Sequence, residues 1–142
     1  MSGPENAKKL ERLYDVFENE GVAAAAEVVE ALFDPEVEFN TVQTGHAGGR
    51  TYRGFEGMAG FFSELHSEFE HVHYETPQFH PVGTRLVVAL TRLAGSERGS
   101  SVPVRQDLAL VYHFKEGRVF AVDAYETPAE ALEAAQRGHA DA

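Results

Sequence analysis

The stretch from Val102 to Phe114 constrains this chain most. Its even positions read Val102, Val104, Gln106, Leu108, Leu110, Tyr112 and Phe114; its odd positions read Pro103, Arg105, Asp107, Ala109, Val111 and His113. Successive side chains of a strand point to opposite faces, so one face here is apolar along nearly its whole length and is broken only by Gln106. Such a face covers a core or lines a cavity, and a buried Gln106 amide needs hydrogen-bond partners there. Lys115-Glu116-Gly117 reads as a hairpin leading into Arg118–Tyr125. On that second strand Phe120, Val122 and Ala124 continue the apolar face, which ends at Glu126. A long apolar sheet with a few inward polar groups implies a pocket.

Upstream the hydrophobic period becomes helical. Leu10, Leu13, Tyr14 and Phe17 follow a Ser2-Gly3-Pro4-Glu5 capping box and precede Gly21. A second helix is expected from Val22 to Phe33, with Asp34-Pro35 as its stop. Val37–Val42 reads as a short strand and Gln43–Arg53 as a Gly-rich loop. Glu56–Ser67 reads as a third helix with Met58, Phe61, Phe62 and Leu65 inward. Phe69–His80 is a strand weakened by Pro77, and Pro81–Thr84 is a turn. Leu86–Leu93, apolar on both faces, belongs at the centre of a sheet. Ala94–Ser101 reads as a hairpin loop. Thr127 caps a last helix, Pro128–Arg137, and the tail beyond Gly138 is expected to fray. Helices gathered first and an antiparallel meander after them predict an α+β domain, with the helices on one face of a curved sheet.

A chain of 142 residues suits one domain with a sizeable core, here residues 1–142. The net charge of -11 disfavours nonspecific nucleic-acid binding and attraction to anionic membranes. There is no cysteine, which removes disulfides, thiol catalysis and thiolate metal sites. No apolar run reaches membrane-spanning length, and the N-terminus lacks a basic-then-apolar signal; a cytoplasmic protein is expected.

Taken in order, several motifs resemble the SnoaL-like polyketide cyclases and ketosteroid isomerases of the nuclear transport factor 2-like superfamily. They are Leu13-Tyr14 through Asn19 and Gly21, then Ala31 to Phe39, then Tyr52-Arg53-Gly54-Phe55-Glu56-Gly57, then Phe114 to Val119, and finally Tyr125-Glu126-Thr127-Pro128-Ala129-Glu130-Ala131-Leu132. The resemblance implies a cone: a strongly curved, mostly antiparallel sheet and N-terminal helices enclosing a deep apolar pocket. It also implies cofactor-free acid–base chemistry of isomerase, cyclase, hydrolase or lyase type where family members are enzymes, and the fold hosts plain binding modules too. By the same resemblance the isomerases' catalytic Asp base falls on Phe39 and their oxyanion-binding Asp on Leu110, whereas their helix-one Tyr matches Tyr14.

Tyr14, Gln106 and Glu126 are the candidate catalytic groups: a hydroxyl donor, an orienting amide, and a carboxylate that desolvation would make basic. A small apolar ligand would be lined by Tyr14 and Phe17 from the first helix, and by Phe33 and Phe39. Phe55, Met58 and Phe62 would line it around the third helix, with Val87 and Ala89 on the central strand. Gln106, Leu108, Leu110 and Tyr112 on the long strand and Val122 and Ala124 on the last complete the set. His71 and His73 sit at i, i+2 after His66, a spacing that suits a metal, but no third ligand pattern accompanies them and a solvated edge strand is favoured. His46 lies in Gly45–Gly49, which lacks the Lys-Ser/Thr of a phosphate loop. No metal or cofactor is expected. The second apolar face, with Leu86, Val88, Leu90, Ala109, Val111, Val119, Ala121 and Tyr125, predicts a homodimer through the back of the sheet. Two readings stay open: a cofactor-independent enzyme, and a non-catalytic ligand-binding or interaction module.

Phe39 and Leu110 supply neither base nor oxyanion donor. Purified protein is therefore expected not to turn over a β,γ-unsaturated steroid ketone; robust turnover in a spectrophotometric assay would place the site elsewhere.

Overall fold

The computed structural model describes residues 3–41, 51–60, 69–97, 99–125 and 127–140, without the side chains of residues 22, 41, 69, 106, 139 and 140. Helix α1 spans Gly3–Glu20 and α2 Val22–Leu32. Gly21 separates them at φ 93°, a left-handed conformation that glycine adopts without a Cβ clash. Strand β1 (Phe33–Thr41) follows directly, then β2 (Thr51–Arg53) and a helical turn, α3, over 54–60. The long strands are β3 (Phe69–Val82), β4 (Leu86–Glu97), β5 (Pro103–Lys115) and β6 (Arg118–Tyr125), and α4 (Pro128–Ala140) closes the chain.

Several boundaries differ from those the sequence suggests. Phe33 does not end α2; it opens β1, and Asp34-Pro35 lies inside that strand. Two carbonyls at the end of α2 are met by a distant side chain: the Arg118 guanidinium donates to Phe33 O at 2.9 Å and to Glu30 O at 3.5 Å, while the Phe33 N–H goes to Val29 O. Thr51–Arg53, expected as loop, pairs with β1. β4 runs on to Glu97, well into the expected hairpin loop, because Ala94, Gly95 and Ser96 pair with Arg105, Val104 and Pro103. α4 continues past Gly138 to Ala140, where fraying was expected. Val42, Phe61, Phe62, Leu65 and His66 lie outside the described residues.

The sheet has six strands in the order β2-β1-β6-β5-β4-β3. It is mixed rather than a plain meander: β1 runs parallel to β6, and every other pair is antiparallel. The β5–β6 hairpin closes through Glu116 and Gly117 at φ 52° and 79°, with Lys115 opposite Arg118.

α1 and α2 cover one face of the sheet, and their apolar stripes build the larger core with Phe33, Val37, Phe39, Val87, Ala89, Leu110, Tyr112, Phe114, Val119 and Val122. The N-terminal half of α1 is pinned to the sheet's turns by polar contacts. Asn6 Nδ2 donates to Thr84 O at 3.1 Å, and Lys9 Nζ donates to Gly117 O at 3.2 Å. Gly3 lies so close to the β3–β4 turn that a Cβ there would stand 2.5 Å from Gly83 O.

The helices do not all share one face. α4 packs on the opposite side, where Ala131 and Ala135 meet Leu86, Val88, Ala109 and Val111. Thr127 caps its start as expected: the Glu130 N–H donates to Thr127 Oγ1 at 3.2 Å, and the Thr127 hydroxyl donates to Glu130 Oε1 at 2.9 Å. The apolar face on which a homodimer was expected is thus covered largely from within the chain, and its apolar character alone no longer calls for a second copy. Val119, expected on that face, lies in the α1-side core instead, while Phe120 is 43% exposed. One extra residue in β6 explains both: Phe114 pairs with Val119 and His113 with Ala121, so Phe120 bulges and the alternation inverts across it.

Ala135 has no exposed surface and faces the sheet. Ala135→Leu should overfill this contact and lower stability by about 1–3 kcal/mol, read as a shifted urea midpoint at unchanged slope.

Candidate functional site

At the centre of the α1-side layer two tyrosine hydroxyls meet. Tyr14 and Tyr112 are both buried, and their hydroxyl oxygens stand 2.7 Å apart in a hydrogen bond. Helical spacing brings Tyr14 onto the buried stripe of α1 with Leu10 and Leu13. Strand alternation brings Tyr112 inward with Leu110 and Phe114, between Val87 of β4 and Val122 of β6. The pair carries two O–H groups and spends one in the mutual bond, which leaves one proton as a donor for a further acceptor.

Aromatic rings frame the pair. Tyr74 lies 5.3 Å and Phe79 5.0 Å from the Tyr14 ring, Phe17 lies 5.2 Å from Tyr74, and Phe33 meets Tyr112 edge-on at 6.2 Å. Tilted and edge-on contacts of this kind match the ring quadrupoles. Burial, then the facing phenol of the pair, pushes the Tyr14 hydroxyl well above the usual phenol range. Burial likewise raises Tyr112 and Tyr74. All three stay neutral donors at any ordinary pH.

Of the residues expected to line a ligand, the structure gathers Tyr14, Phe17, Phe33, Phe39, Phe55, Met58, Val87, Ala89, Leu108, Leu110, Tyr112, Val122 and Ala124 into this one cluster. Gln106 occupies the β5 position opposite Leu93, and its side chain lies outside the description. Phe62, Glu126 and His46 lie outside the described residues. Asn6, which is tied to the β3–β4 turn, is the buried polar or charged side chain among the described residues; no described carboxylate, imidazole or cation is buried beside the tyrosines. His71 and His73 are exposed on β3, His73 Nδ1 lying 3.2 Å from His71 O, and no metal-sized group of three His, Asp or Glu occurs among the described residues.

Sequence alternation missed Tyr74 and Phe79. They are five residues apart, which puts them on opposite faces of a regular strand. A register break between Glu75 and Gln78 inserts one residue, so both face inward. Pro77 inside that interval was the available signal.

The reading also missed a polar chain on the other face. Thr51 Oγ1 donates to Asn40 Oδ1 at 2.8 Å, Asn40 Nδ2 donates to Asp123 Oδ1 at 2.8 Å, and His113 Nε2 donates to Asp123 Oδ2 at 2.8 Å. Partial burial works to raise the Asp123 carboxyl, but the bonds from His113 and Asn40 and the His113 charge outweigh it and hold the carboxyl below the ordinary value. This chain crosses β2, β1, β6 and β5, and it staples the parallel β1–β6 pair from outside.

These features define a nuclear transport factor 2-like α+β fold. A structure of such a protein from Burkholderia pseudomallei superposes with a TM-score of 0.69 at 18% identity, over 94% of this chain and 97% of the other. A protein with a ketosteroid isomerase-like fold from Catenulispora acidiphila, in complex with trimethylamine, gives 0.58 at 18% identity over 78% and 82%. TerC, co-crystallised with polyporic acid, gives 0.66 at 17% identity over 92% and 98%. No curated protein matches. The SnoaL-like domain model matches residues 10–122, and the chain belongs to that family.

The tyrosines yield a pH prediction. A folded-state phenol raised above its unfolded value near 10 favours the protonated, folded form. Its stabilising contribution is complete below that unfolded value and is lost as pH rises toward the folded one. Stability should therefore fall above about pH 10, and absorbance at the tyrosinate band should show Tyr14, Tyr74 and Tyr112 ionising only together with unfolding. Their titration in a still-folded protein would contradict the burial.

Proposed function

We propose that this SnoaL-like protein binds a small, mainly apolar molecule against the α1-side face of the sheet, where the Tyr14–Tyr112 pair donates a hydrogen bond to one oxygen of the ligand. The observation that carries this reading is the buried hydroxyl pair, polar and neutral, set among aromatic and aliphatic side chains. Two similar proteins were crystallised with small organic molecules, trimethylamine in one and polyporic acid in the other. A neutral donor pair in a low-dielectric site suits a carbonyl or hydroxyl oxygen, and it would also stabilise negative charge growing on that oxygen.

Catalysis is the finer question. By the family resemblance Phe39 and Leu110 fall where the isomerases carry acids, and both pack as core. With no described carboxylate or imidazole buried beside the tyrosines, recognition without turnover is the better supported reading. Cofactor-free acid–base chemistry would draw its base from a group such as Glu126, with Gln106 orienting the ligand.

A matched pair of probes tests this. 2-Acetonaphthone should bind about tenfold more tightly than 2-ethylnaphthalene in calorimetric titration, the worth of one hydrogen bond in a dry site, about 1.4 kcal/mol. The double variant Tyr14→Phe/Tyr112→Phe should erase that preference and leave the ethylnaphthalene affinity nearly unchanged, because either phenol alone keeps an unspent O–H. Equal affinity for the two probes in the wild type, or a preference that survives the double variant, would overturn the assignment.

A further inference from the structure

β3 is a long strand at the end of the sheet. It covers 14 residues and, among the described residues, pairs with β4 alone. A long open edge presents N–H and C=O groups that invite pairing with another chain. This edge is interrupted repeatedly. His71 at φ 56° and Thr76 at φ 39° fall within its two register breaks. Pro77 and Pro81 have no N–H to offer. Between the two breaks a short regular piece survives, with His73, Tyr74 and Glu75 opposite Ala94, Leu93 and Arg92.

There the chain uses a different device. Glu18 Oε1, reaching across from the last turn of α1, accepts the Tyr74 backbone N–H at 2.7 Å. An N–H given to a side chain from another element is unavailable to an incoming strand. The contact is exposed, so it supplies no core packing. The rings of Tyr14 and Phe17 already hold α1 against Tyr74 and Phe79.

We propose that the Glu18 carboxylate is a stopper that closes the regular part of the β3 edge and prevents β3 of one molecule from pairing antiparallel with β3 of a second copy. A second copy is the natural occupant, because one edge meeting itself across a two-fold axis satisfies both chains with the same residues.

Three variants separate this from a charge effect or a purely structural bond. Glu18→Ala should speed exchange of the Tyr74 amide at least tenfold and raise the light-scattering mass above the wild-type value at equal concentration. Glu18→Gln keeps an acceptor oxygen and should behave like wild type in both measurements. Glu20→Ala removes the same charge two residues further along α1 and should leave both unchanged. The proposal is overturned if Glu18→Ala keeps the wild-type mass and Tyr74 exchange. It is equally overturned if Glu20→Ala or Glu18→Gln associates as strongly, which would make the effect one of net charge. A Glu18→Ala protein without a cooperative melt in circular dichroism would also overturn it, by making the bond a requirement of folding.

Discussion

Two breaks in the sheet's alternation decide which side chains reach the core beneath α1 and α2. A regular strand commits every second side chain to one side. In β6 the extra residue at Phe120 returns Val119 to the α1 side, where it packs with Phe114, and leaves Val122 and Ala124 inward as well. In β3 the break between Glu75 and Gln78 does the same for Tyr74 and Phe79. Without the insertion in β3, the aromatic frame around Tyr14 would lose a member to the outer face, and without the one in β6 Val119 would leave the core. Bulges also increase local twist, which bends a sheet around its helices.

Curvature in turn explains the division of labour between faces. The inner layer is large, aromatic and closed by α1 and α2, whereas the outer layer is small-residue packing beneath α4. Beyond α4, the outer face turns polar and is organised by Asp123, which accepts from both His113 and Asn40. A half-buried carboxylate is tolerable there because charge-assisted donors meet both its oxygens. The tyrosine pair solves the same problem inside without any charge, by having each hydroxyl face the other. Under the proposed function, such a pair would discriminate by oxygen placement and shape rather than by charge.

Much of this was legible from the residues alone. The period of 3.6 in α1, the hairpin at Glu116-Gly117, the Thr127 cap and the inward face of β5 all follow from local chemistry, and the ordered motifs pointed to the family whose model matches residues 10–122. These features depend on neighbours within a few positions, which is the range over which sequence patterns carry information. The inward sets on α1 and β5 could be read separately for the same reason.

What local pattern could not decide was decided by distant contacts. Phe33 became a strand residue because β6 lies alongside it and Arg118 caps the helix behind it. The back of the sheet reads as apolar in either case, and only the path of α4 determines that Ala131 and Ala135 cover it. The meeting of Tyr14 with Tyr112 joins residues 98 positions apart. Composition and periodicity set which faces are apolar; which of those faces meet, and which polar atoms find each other between them, depends on a register and a crossover direction that belong to the folded chain as a whole.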